Sequence, residues 1–168
     1  MQKTKFPFEI IIHDDASQDN TAKIIKKYAN QFPNLIVPIL QKENKYSKKE
    51  KVLQKYVLPK ARGEYIALCE GDDYWTDPDK LQKQIDTMKK FPKCNFSFHQ
   101  SCSKSLKTQK IKIINNYGKN NKIFYAKDAI LGGGNFCPTA SIIFKKDLLH
   151  QRPGFFLDVC VGDYPLQI

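Results

Sequence analysis

Two short apolar runs, each leading straight into a cluster of carboxylates, constrain this chain more than any other feature. The first, Phe8-Glu9-Ile10-Ile11-Ile12-His13, ends in Asp14-Asp15-Ala16-Ser17-Gln18-Asp19-Asn20-Thr21. The second, Tyr65-Ile66-Ala67-Leu68-Cys69, ends in Glu70-Gly71-Asp72-Asp73-Tyr74-Trp75. Apolar runs of this length and composition read as buried strands. Helical patterns follow both. Ala22, Ile24, Ile25, Tyr28, Ala29 and Phe32 share one face ahead of Pro33. Asp77-Pro78 begins a second helix, whose inward face is Leu81, Ile85 and Met88 and which Pro92 follows. Leu35 to Leu40 reads as a further strand, placed at an edge because Pro38 has no amide to donate. Val52, Leu53, Tyr56 and Val57 carry helical spacing, closed by Pro59 and Gly63. This alternation predicts an α/β fold with a mostly parallel sheet. Beyond residue 93 the pattern turns irregular, with short strands at Phe96 to His99, Ile111 to Ile114 and Ser141 to Phe144, and a Gly132-Gly133-Gly134 linker. One domain over residues 1–168 is expected.

At 168 residues, with 41% hydrophobic and 27% charged side chains, the chain can bury a core, and disorder is not the expectation. No run is long and apolar enough to span a bilayer, and the first residues do not resemble a signal-peptide core. A soluble protein on the cytoplasmic side is expected, in keeping with five scattered cysteines and no Cys-x-x-Cys pair. Cys94, His99 and Cys102 lie close in sequence but lack a fourth zinc ligand nearby. The net charge of +11, spread over many lysines, suits nucleic acid, an anionic membrane or phosphorylated small molecules. Nucleic acid is disfavoured, because no signature with interleaved aromatics accompanies the lysines.

Ligands of open α/β sheets bind beyond the carboxyl ends of the strands, where Asp14-Asp15 and Glu70 to Asp73 both fall. Clustered carboxylates repel one another and lose solvation. A hard divalent cation offsets that cost. The plain alternative is that either cluster only turns the chain and caps a helix.

The ordered set of segments resembles family 2 glycosyltransferases, which have the GT-A, or nucleotide-diphospho-sugar transferase, fold. The resemblance rests on Ile12 to Thr21, on Lys60-Ala61-Arg62-Gly63-Glu64 through Trp75, and on Thr76-Asp77-Pro78 with Lys80-Leu81-Gln82-Lys83-Gln84. It continues through Gly134-Asn135, Pro138-Thr139 and Gly162-Asp163-Tyr164-Pro165-Leu166. It implies a Rossmann-like three-layer α/β/α sandwich, a nucleotide-sugar-binding half over residues 1–93 and an acceptor-side half over 94–168. By the same resemblance, Asp14 or Asp15 accepts a hydrogen bond from the nucleotide base, and Glu70 lies near the ribose. Asp72 holds Mg2+ or Mn2+, and Asp73 assists. Glu70 departs from the family's first Asp of an Asp-x-Asp motif. Asp163 occupies the position of the catalytic base, and Asn135 and Thr139 lie on the acceptor side. The expected partners are a nucleotide-sugar donor, a glycan or lipid-linked glycan acceptor of a bacterial capsule or lipopolysaccharide type, and the face of an anionic membrane.

The family's first strand and helix are expected ahead of Phe8, and a helix is expected to run on past Ile168. On that ground the chain is expected to be a fragment, prone to form a homo-oligomer and poorly active alone. A non-catalytic nucleotide-binding or interaction domain of the same fold is the alternative.

Overall fold

A computed structural model describes residues 1–150. They pack as two compact units, one of residues 6–63 and one combining residues 1–5 with those from 64 onward.

In the first unit, strand β1 (Ile10–Asp14) pairs in parallel with β2 (Ile36–Leu40), Ile10 opposite Ile36 and Asp14 opposite Leu40. Helix α1 (Thr21–Gln31) connects them and buries Ile25 and Ala29. Ile24 and Tyr28, expected on the same inward face, are instead 53% and 47% exposed. Thr21 N–H donates to Asp19 Oδ1 at 2.8 Å, so the acid-rich loop also starts the helix. Pro38 sits opposite Ile12 in a pair with no third strand among the described residues, where its missing N–H leaves no partner wanting. The expected helix near Val52 is only a single wide turn, Leu53–Val57, followed by a 3-10 turn at Leu58–Lys60. Pro59 explains this: it cannot donate to the carbonyl four residues back, and its ring crowds that carbonyl.

In the second unit, β3 (Tyr65–Ala67), β7 (Ile143–Lys145) and β4 (Phe96–Ser97) form an antiparallel sheet with β7 at its centre. The parallel character read from the sequence thus resides in the β1–β2 pair of the first unit, and the sheet of this unit is antiparallel. Helix α2 (Lys80–Lys90) buries Leu81, Ile85 and Met88 as its spacing predicts, and it buries Lys80 and Gln84 as well. Its first residue is Lys80 rather than Pro78, because Asp77 Oδ1 accepts from the Asp79 amide at 2.9 Å and shapes the turn just ahead. Gln2 closes the helix start, donating to the Asp77 carbonyl and accepting from Leu81 N–H. A hairpin of β5 (Ser101–Lys104) and β6 (Ile111–Ile114) and a short helix α3 (Ala126–Gly132) complete this unit. Ile142, Ile143 and Phe144 are all within 1% of full burial, and Ile142 and Phe144 form a core cluster with Cys137.

Candidate functional site

The acidic end of β1 is built largely by main-chain donors. Asp15 accepts from the amides of Lys45 at 2.8 Å and Tyr46 at 2.9 Å, one to each carboxylate oxygen. Burial works to raise its pKa, but these two donors, aided by the charges of His13 and Lys45, hold it below the usual carboxylate range. Asp14 is 4% exposed, and among the described residues its carboxylate meets no hydrogen-bond donor. The His13 ring stacks on Tyr56 and lies 3.2 Å from the Gln41 amide.

The acidic end of β3 is built differently. Leu68 N–H donates to the Ile142 carbonyl, and the chain then turns at Gly71–Asp72, closed by a bond from Asp73 N–H to the Glu70 carbonyl. Glu70, Asp72 and Asp73 are exposed. The turn is anchored by the residue after it, for Trp75 Nε1–H donates to the Ala140 carbonyl at 2.7 Å. Lys80 Nζ lies 4.2 Å from the centre of the Trp75 ring, and Lys80 is 4% exposed. Desolvation pushes that ammonium down to about 8. Its nitrogen has no hydrogen-bond partner among the described residues, so the Trp75 π-face is the main compensation for its charge.

A cleft of about 980 Å³ opens in this unit, bordered by Asp73, Tyr74, Trp75 and Thr139. Its wall is an aromatic cluster: Phe98, Tyr117, Phe124 and Phe136 meet with ring centroids 5.1 to 5.8 Å apart. Tyr117 OH and Asn115 Nδ2 both donate to the Phe136 carbonyl. Gly132 allows this packing, because a Cβ there would collide with the Phe136 ring, and Gly133 takes the left-handed φ of +68° that ends α3. The glycine run is therefore a packing requirement as well as a turn.

Of the residues expected from sequence, Asp73 and Thr139 border one cleft, whereas Asn135 is exposed beside it. Asp14 and Asp15 belong to the other unit, and Asp163 lies outside the described residues. Among those residues no group of three or more histidine, cysteine, aspartate or glutamate side chains is gathered as a metal centre. The aromatic wall escaped sequence reading because its four rings come from positions 98 to 136 with no common period. Lys80 escaped because a lysine at the start of a helix ordinarily stays in water.

The profile of the family described as "Glycosyl transferase family 2" matches residues 1–152. The chain is 39% identical over 153 residues to an uncharacterized protein of Mycobacterium tuberculosis, covering 86% of this chain and 40% of that protein. It is 37% identical over 83 residues to the putative glycosyltransferase EpsE of Bacillus subtilis, covering 49% of this chain and 28% of EpsE. It is 35% identical over 88 residues to the Escherichia coli UDP-Glc:alpha-D-GlcNAc-diphosphoundecaprenol beta-1,3-glucosyltransferase WfaP, covering 52% of this chain and 32% of WfaP. The chain spans well under half the length of each of these relatives. With its carboxylates at the ends of β1 and β3, the chain belongs to glycosyl transferase family 2 and has that family's GT-A type of α/β fold.

Proposed function

We propose that this chain is the donor-binding part of an inverting glycosyltransferase, which moves a sugar from a uridine diphosphate sugar to a hydroxyl of a surface glycan or lipid-linked glycan. The observation that carries the reading is the exposed Glu70–Asp73 turn at the end of β3, set on the rim of an aromatic cleft. The donor and acceptor in the name of WfaP support a uridine diphosphate sugar and a lipid-linked acceptor.

In this reading Asp14, rather than Asp15, receives the ring N–H of the base, because both oxygens of Asp15 are engaged by Lys45 and Tyr46. Glu70 lies against the ribose and Asp73 supports the turn. Asp72 would hold Mg2+ or Mn2+. The donor set fits, since magnesium is commonly held by one or two carboxylates together with substrate phosphates and water. Bound there, the ion would supply positive charge to offset that of a departing nucleoside diphosphate. Asp163 takes the proton from the acceptor hydroxyl as that oxygen attacks the anomeric carbon from the face opposite the leaving group. A well-placed base of this kind contributes roughly 10²–10⁴ in rate. Thr139 and Asn135 flank the acceptor, whose sugar faces have the aromatic wall to stack against. The acceptor's lipid would bring the enzyme to the inner face of an anionic membrane. No helix among the described residues is long and apolar enough to cross one.

Calorimetric titration of uridine diphosphate, with and without manganese, tests the reading. Heat that requires manganese and vanishes in Asp72→Ala supports it. Binding that ignores both the metal and Asp72 rules out the assigned donor site.

A further inference from the structure

The eleven net positive charges are unevenly placed. Residues 87–127 hold ten lysines and no aspartate or glutamate, so about a quarter of the chain carries ten of them. At the middle of that segment stands the β5–β6 hairpin. Its register sets Lys104 opposite Ile111 and Cys102 opposite Ile113, so these four side chains share one face. Every residue from 102 to 113 is exposed. Leu106 at the tip is 87% exposed, Ile111 66% and Ile113 58%. The tip is firmly built: Ser105 N–H donates to the Lys110 carbonyl at 2.9 Å and Gln109 N–H to the Ser105 carbonyl at 2.8 Å. The result is a hydrogen-bonded finger with an aliphatic ridge among Lys104, Lys107, Lys110 and Lys112. None of these four forms an ion pair among the described residues.

We infer that this finger docks on the surface of an anionic lipid bilayer. Leu106, Ile111 and Ile113 enter the boundary between headgroups and acyl chains, and the lysines meet lipid phosphates. A bilayer satisfies both halves of the surface, because it offers apolar depth beneath a negative layer. A polynucleotide satisfies only the lysines: the segment has no arginine, and the aliphatic ridge would find nothing apolar against a phosphate backbone. Lysines also guard free strand edges against pairing with other chains, but that role does not require three large aliphatic side chains left in water. The inference deepens the proposed membrane contact by naming the element that makes it, and it needs neither Asp72 nor a nucleotide.

Co-sedimentation of the chain with vesicles tests it, comparing phosphatidylcholine alone with phosphatidylcholine containing about 30% phosphatidylglycerol. The expected result is binding to the anionic vesicles only, weakening as salt rises. That binding should fall at least about tenfold in K104E/K107E/K110E and again in L106S/I111S/I113S. The variant K23E/K26E/K27E, on exposed positions of α1, should bind as the parent does. Circular dichroism verifies that each variant stays folded. Equal binding to neutral vesicles overturns the inference, as does an equal loss in the α1 variant. Tighter binding to a duplex DNA oligomer than to anionic vesicles also overturns it. Vesicle binding that follows the expected pattern while uridine diphosphate fails to bind would leave the finger standing and remove the donor reading.

Discussion

The loops after β1 and β3 look alike in sequence, each an apolar strand opening into acids, yet they are held in opposite ways. In the loop after β1 a carboxylate is the anchor, with the two oxygens of Asp15 consumed by the Lys45 and Tyr46 amides. In the loop after β3 an indole is the anchor, and the carboxylates of Asp72 and Asp73 meet no donor among the described residues. An acid that holds its own loop is committed to structure. An acid whose loop is held by something else remains available to a ligand. The pair separates carboxylates engaged by the fold from carboxylates left open, where sequence position alone cannot.

The sharpest test of this difference is Asp72→Ala. It should lower manganese-dependent affinity for uridine diphosphate by about 100-fold while leaving the urea unfolding midpoint unchanged. A lowered midpoint would mean that this acid, too, is structural. Next in size is Lys80→Met, which removes the buried charge beside the Trp75 anchor. The folded pKa of Lys80, about 8, lies below its ordinary 10.5, so between those values the unfolded chain binds more protons and stability rises with pH. The substitution should raise stability at pH 7 by about 2 kcal/mol and flatten that rise, as read by denaturant unfolding from pH 7 to 11.

Trp75→Phe keeps a ring but removes the bond to the Ala140 carbonyl. It should cost about 1 kcal/mol and weaken uridine diphosphate binding several-fold, because the turn loses its anchor. Unchanged binding would show that the turn is fixed by other contacts. Asp15→Asn should have the smallest effect, about 0.5 kcal/mol, since the bonds it weakens lie within reach of water. Because the folded pKa of Asp15 is depressed below 3.8, its contribution is full above that pH and is lost as pH falls through the lower folded value. Acid titration of unfolding in parent and variant should therefore converge at low pH.

Much of this was legible because it was local. The strand ending in Asp14, the start of a strand at Tyr65 (which stops at Ala67, short of Cys69), the inward stripe of α2 and the placing of Pro38 all follow from spacing and backbone chemistry. The short helix around Val52 failed because Pro59 acts backwards on the turn before it, which a forward count of apolar spacing overlooks. Ile24 and Tyr28 failed because a helix lying on a two-stranded sheet finds room for only part of its apolar stripe. The cleft was illegible for a different reason. Phe98, Tyr117, Phe124 and Phe136 meet only after the hairpin and α3 have brought distant segments together. The concentration of charge in residues 87–127 lies open in the sequence, but it is signalled by missing acids rather than by abundant lysines.

The bond from Trp75 to Ala140 ties together two turns that border the cleft. Ala140 lies within the short turn Thr139–Ser141, so the acidic turn and that turn are coupled through one 2.7 Å contact. A ligand that stills the first also stills the second, and the entropy lost at the first encounter need not be lost again at the next. Thermodynamic reciprocity would then make each occupant raise the affinity of the other, without a change in average structure. Slower hydrogen exchange at Ser141 and Ile142 on adding uridine diphosphate and manganese would be its signature.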